Sequence, residues 1–229
     1  MDEPADTYTD RPDRAAELRP VLIEAATSVR DLVGSPEVGK VWDQPSALEG
    51  MTVGGLAAHI DGALRIMGVL LEQEVPDTDR IASPFEFFGD NRRVGASALD
   101  DERARGIAER AEAAAAEGQA AVVDRLTATI AWVDDTLAAL PPQATMATHR
   151  VPDARARLDD YLRTRLIEVV VHGDDLACSV GVVWHPPVAA VAEVIDLLVG
   201  MARERVGDLE VLRGLTREER AVPEALRAL

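Results

Sequence analysis

RLIEVVVHGDDLACSVG, residues 165–181, decides the fold, because only one reading of it lets Glu168 and His172 act together. The triplet Val169, Val170 and Val171 favours a strand by composition. In a strand the two side chains share a face but stand about 13 Å apart, at roughly 3.3 Å per residue. One ion cannot take both. In a helix, residues four apart lie one above the other with Cβ atoms about 5–6 Å apart, which suits two ligands at about 2 Å from a common ion. The flanks favour the helix. Between Leu158 and Val180 there is no proline and one glycine, Gly173, and the run is far longer than an ordinary strand. The preceding LDDYLRTR, residues 158–165, extends the same pattern: Leu158, Leu162, Leu166, Val169 and Val170 form one apolar stripe at offsets of three and four. Tertiary packing can carry three valines in a helix, since the propensity loss is only tenths of a kcal/mol per residue.

Working outward, TVGGLAAHIDGALRIMGVLLE, residues 52–72, is a second apolar helical run, with Thr52 as its N-cap and an end near Glu74, before Pro76. It carries His59, flanked on one face by Leu56, Ala63 and Ile66, with Gly55 and Gly62 expected to leave room beside the imidazole. A first helix is expected over residues 13–33, with Pro20 in its early turns. A third helical region covers residues 100–140; unbroken it would be about 60 Å long, so a break near Gly118 is expected. A fifth runs over residues 188–206, followed by the tail GDLEVLRGLTREERAVPEALRAL. Residues 34–50, 76–100 and 141–153 read as connections. The second of these holds Phe85, Phe87 and Phe88, which either line a pocket or pin the loop to the core.

The expected architecture is all-α: a four-helix bundle with long connections over residues 1–181, and a helical extension, 182–229, packed on it. Such bundles place metal sites in their cores from ligands on facing helices. His59, Glu168 and His172 are the candidate ligands. A carboxylate and two imidazoles on apolar faces are costly to bury without a partner, and together they suit zinc or another first-row divalent ion with open positions. Asp175, three residues after His172, is placed to orient that ring, while Arg165 and, one turn further back, Tyr161 are candidates to hold a substrate carboxylate. His149 and His185 lie in proline-flanked loops and read as turn residues. Cys178, the single cysteine, lies about 120° around the helix from His172 and reads as a small core residue.

Composition narrows the function. The 229 residues carry a formal charge of −17, from 24 basic and 41 acidic residues, with no long basic block. Nucleic acid is therefore not an expected partner, since displacing counterions from phosphates takes a cationic footprint. No apolar run is expected to reach membrane-spanning length, and MDEPADTYTDRPD is acidic without the apolar core of a signal peptide, so a cytoplasmic protein is expected.

At these residues the chain resembles the DinB-like superfamily of metal-binding four-helix bundles, in its branch of mycothiol-dependent maleylpyruvate isomerase-like proteins of actinobacteria. The resemblance covers about residues 18–181 and is carried by WDQPSALEGMTVGGLAAHI (42–60), YLRTRLIEVVVHGDDLACSVG (161–181) and, beyond them, LRGLTREER (212–220). It maps the branch's three ligands onto His59, Glu168 and His172. What it implies is a zinc-like ion that binds the thiol of a small cofactor such as mycothiol and lowers its pKa, the thiolate being the nucleophile. An isomerase of this kind adds the thiolate to a conjugated double bond, lets the new single bond rotate, and eliminates it again. Relatives are expected to transfer the thiol to small electrophiles. The chain departs from the isomerase after Gly181, where a helical tail stands in place of a larger α/β domain. A non-catalytic metal or small-ligand binding protein on the same bundle is the alternative, and a homodimer is the assembly that the exposed helix faces leave open.

Overall fold

A computed structural model describes residues 14–88, 102–141, 143–148, 151, 153–217 and 219. Its elements in chain order are α1 (Ala15–Val33), α2 (Pro36–Lys40), α3 (Val53–Leu71), β1 (Ile81–Ala82), α4 (Pro84–Phe87), α5 (Glu102–Ala115), α6 (Gln119–Ala139), β2 (Thr145–Ala147), β3 (Arg155–Arg157), α7 (Leu158–Val180), α8 (Val188–Val206) and α9 (Asp208–Thr216).

Helices α1, α3, α6 and α7 form the bundle, each packed on two others so that a closed square results: α1 on α7, α7 on α3, α3 on α6 and α6 on α1. Leu18 and Leu22 of α1, Leu56, Ile60 and Met67 of α3, Leu126 of α6, and Leu162 and Leu166 of α7 fill its centre with no exposed surface. α5 lies along α3, α8 along α7 and α1, and α9 along α8. The all-α bundle is thus as the helical periodicities require.

The ends of the helices follow local chemistry. Thr52 caps α3, its Oγ1 accepting from the Gly55 amide at 2.9 Å. Glu112 of α5 reinforces that end: one carboxylate oxygen accepts from the Thr52 amide at 2.6 Å and the other from the Thr52 hydroxyl at 2.9 Å. The third helical region breaks at Gly118, whose φ of 89° belongs to the left-handed half of the map that glycine tolerates. α7 stops at Gly181, a left-handed C-cap with φ 69°, and the Val182 amide donates back to the Ala177 carbonyl at 3.1 Å. Pro20 lies inside α1, in its second turn and exposed; the carbonyl of Ala16 that it leaves without a helical donor also lies on the exposed side.

Four findings depart from the sequence reading. The long connections hold a three-stranded sheet in the order β1-β3-β2, with β1 parallel to β3 and β2 antiparallel to it, Met146 opposite Ala156. Strands of two or three residues show no periodicity, so composition could not reveal them. The stretch after Pro76 contains α4, closed by a capping box in which the Ser83 amide donates to Glu86 Oε2 at 2.8 Å. Cys178 is exposed, because the buried stripe of α7 passes through Leu176 and Ala177 and leaves position 178 outside. Finally, α3 is long and apolar enough by length and composition to cross a bilayer, contrary to expectation, since its two charges, Asp61 and Arg65, do not disqualify it. Two-thirds of that stretch is buried inside the bundle, and the Asp61 carboxylate accepts from Arg125 at 2.9 Å and Thr129 at 2.8 Å, both on α6. His149 lies outside the described residues; His185 is exposed between α7 and α8.

Candidate metal centre

α3 and α7 pack side by side, and their facing stripes bring His59, Glu168 and His172 together across 109 residues of sequence. Glu168 Oε2 stands 3.6 Å from His59 Nε2 and 3.3 Å from His172 Nε2, and all three donor atoms lie within 4.8 Å of one another. The two rings meet edge to face with centroids 4.8 Å apart. Ligands at about 2.0–2.1 Å from a tetrahedral ion stand about 3.3 Å apart. The Glu168–His172 edge has that spacing, the Glu168–His59 edge is slightly longer, and the two imidazoles are bounded only at 4.8 Å. Side-chain exposures of 17%, 15% and 18% leave a narrow opening to solvent.

The surroundings fix the charges. Burial alone would push the Glu168 carboxyl up, but hydrogen bonding to His172 and His59 and the nearby Arg165 charge hold it well below the usual carboxylate range. Burial alone would likewise discharge His172, yet Asp175 and Glu168 accept from it and raise its pKa from 6.5 to about 9. Without a cation the centre is therefore an ion pair of ionised Glu168 and protonated His172.

Asp175 Oδ2 lies 3.1 Å from His172 Nδ1, so the other ring nitrogen, Nε2, is the one that faces Glu168. Arg165 is buried, with its Nη2 3.8 Å from Glu168 Oε1. Tyr161 is buried beneath it, the guanidinium 4.9 Å from the ring centroid, and Phe87 of α4 meets the same ring edge to face at 5.9 Å. Phe87 thus pins its loop to the core, as does Phe85 against Gly200. Of the two glycines expected to leave room for His59, Gly55 instead makes room for Glu112, with which a Cβ would collide. A Cβ at Gly62, one turn beyond His59, would meet no atom of the described residues within 4 Å.

The sequence reading missed Thr164, whose buried Oγ1 accepts from Arg165 Nε at 3.2 Å, and Trp184, which lies on Gly173 beside His172. Thr164 precedes Glu168 by one helical turn, and a glycine inside a helix costs about 1 kcal/mol against alanine, so both had a signal.

The family model of the mycothiol maleylpyruvate isomerase N-terminal domain matches residues 22–177, more than half of the chain and a span that contains all three donors. The chain belongs to this family. The family's name points to thiol chemistry, and the matched span runs from α1 to the last turn of α7. No curated protein and no solved structure is similar enough to count as a match.

Proposed function

We propose that the protein is a metal-dependent enzyme that uses a low-molecular-weight thiol, mycothiol or a close analogue, to isomerise or to thiolate a small electrophilic substrate. The observation that carries this reading is the convergence of His59 Nε2, Glu168 Oε2 and His172 Nε2 from two facing helices. Two neutral imidazoles and a carboxylate are the donor set of catalytic zinc sites, which keep a coordination position open for a reactant. A bound divalent ion, zinc by first expectation, would supply Lewis acidity and draw the thiol toward its thiolate.

The chain's own part is to hold and to exclude. Asp175 accepts a hydrogen bond from His172 Nδ1 and so keeps Nε2 directed at the centre. Glu168 adds one negative charge, which suits a dication and leaves net positive charge for an incoming thiolate. The bundle walls around the donors restrict water, their side chains being only 15–18% exposed.

Metal analysis of the purified protein and of His172→Ala tests the first step: at least tenfold less zinc in the variant is expected, and equal content sinks the assignment. Thiol conjugation with mycothiol and a panel of electrophiles tests the second. A metal-loaded protein that turns over none of them would be a binding protein on the same bundle.

A further inference from the structure

Arg165 is tied to the protein by two hydrogen bonds and an ion pair. The residue is 8% exposed, and each nitrogen faces a partner within the protein. Nε donates to Thr164 Oγ1 at 3.2 Å, and that hydroxyl donates in turn to the Tyr161 carbonyl at 2.7 Å. Nη1 donates to the Ala63 carbonyl at 3.0 Å, and Nη2 stands 3.8 Å from Glu168 Oε1. The face of the guanidinium lies on Tyr161. A group held on this many sides is poorly suited to leave for a ligand.

What it holds is informative. Ala63 sits one helical turn beyond His59 on α3, while Glu168 belongs to α7, so one planar fork joins the backbone of the helix bearing one imidazole to the carboxylate that faces both. The two oxygens of Glu168 are thereby given different neighbours. Oε1 faces the guanidinium, and Oε2 faces His59 and His172.

We propose that Arg165 is a positioning residue: it presents Glu168 to the centre through Oε2 alone and fixes the separation of α3 and α7 at the height of the donors. In this role it acts on Glu168 rather than as the anchor of a substrate carboxylate. The inference rests on the reading of the three donors as metal ligands. A fork is needed for it, because a lysine ammonium brings the charge but cannot span the Ala63 carbonyl and Glu168 in fixed geometry.

Cobalt(II) is the probe, since its visible absorption reports ligand number and geometry where zinc is silent. The metal-free full-length protein, Arg165→Met, Arg165→Lys and His172→Ala are titrated with cobalt, and helical content is followed by circular dichroism. Arg165→Met is expected to fold, to bind cobalt about 10- to 100-fold more weakly, and to show a changed visible band, as for other residues that orient ligands. Arg165→Lys is expected to recover part of the affinity but not the band. Wild-type affinity and band in Arg165→Met overturn the proposal, and so does complete recovery of both by Arg165→Lys, which would mean that charge alone suffices. Should Arg165→Met fail to fold, Arg165→Lys decides by the same criterion. Equal cobalt binding by the unmodified protein and His172→Ala is a different failure, that of the metal reading itself.

Discussion

His172 has a carboxylate at each ring nitrogen, Asp175 at Nδ1 and Glu168 at Nε2, and this gives the centre two pH dependences of opposite sign. In the metal-free protein the folded-state pKa of about 9 lies above the ordinary 6.5, so the stabilisation by the charged ring is complete below pH 6.5 and fades as the pH rises through about 9. Glu168, held below its ordinary 4.5, contributes above that value and is lost as the pH falls well beneath it. Denaturant midpoints measured in chelator should therefore favour the unmodified protein over His172→Gln most strongly between about pH 4.5 and 6.5, with the difference closing by pH 9.5. Metal uptake runs the other way. The ring must release its proton to ligate, so apparent affinity should climb about tenfold per pH unit up to about 9, as isothermal titration in several buffers would show. At this scale the sequence was informative: the spacing of four placed Glu168 and His172 on one face, and Asp175 three further on beside the ring. Arg165 was legible only in part. Its charge and offset were plain, but its carbonyl partner, Ala63, lies 102 residues away and no local pattern points to it.

Helices α3 and α7 show how differently glycines serve within an element. On α3, Gly55 is backed by the Glu112 carboxylate that caps the helix, whereas a Cβ at Gly62 would meet no atom of the described residues within 4 Å. Gly62→Ala should stabilise the fold by about 1 kcal/mol through helix propensity alone, and Gly55→Ala should destabilise it, since the new methyl displaces the cap. Thermal denaturation of the two variants gives shifts of opposite sign if this is right. On α7, a Cβ at Gly173 would lie 2.5 Å from the Trp184 ring and 3.1 Å from Val29 Cγ2. Gly173→Ala is expected to cost about 1–3 kcal/mol by overpacking, and tryptophan fluorescence should report the displaced ring. The bounds of α7 were readable because an unbroken apolar stripe ends at a glycine that adopts the left-handed C-cap. The strands were not, because Ile81 and Ala82 pair with Arg155 and Ala156 across more than seventy residues and hold too few positions for alternation to appear.

Over the whole molecule, the extension after Gly181 is the part with most to test. α8 contributes Ala190, Val194, Leu197 and Met201 to the common core, and Glu193 joins it to Arg14 of the α1 N-terminus at 2.6 Å and to Arg163 of α7 at 3.3 Å. We propose that the described part of the extension, residues 182–217, is an integral cover of the bundle. Burial of each large side chain contributes about 1.5–3 kcal/mol, and a domain has only about 5–15 kcal/mol in total, so a chain ending at Gly181 should aggregate or unfold in gel filtration and circular dichroism. The helical plan and the extension were legible from periodicity; what the extension touches was not, since Glu193 and its two arginines are separated by long stretches of chain. The same order of elements bears on synthesis. The helices on which α3 chiefly packs, α5, α6 and α7, all follow it, so this bilayer-compatible segment leaves the ribosome with its partners still unmade. Until α5 and α6 have emerged, at about residue 140, its apolar face depends on a chaperone or the ribosome surface for shelter, and α7 completes the cover later. Nascent chains stalled near residue 100 should accordingly crosslink to such factors through α3, and chains stalled well beyond α8 should not.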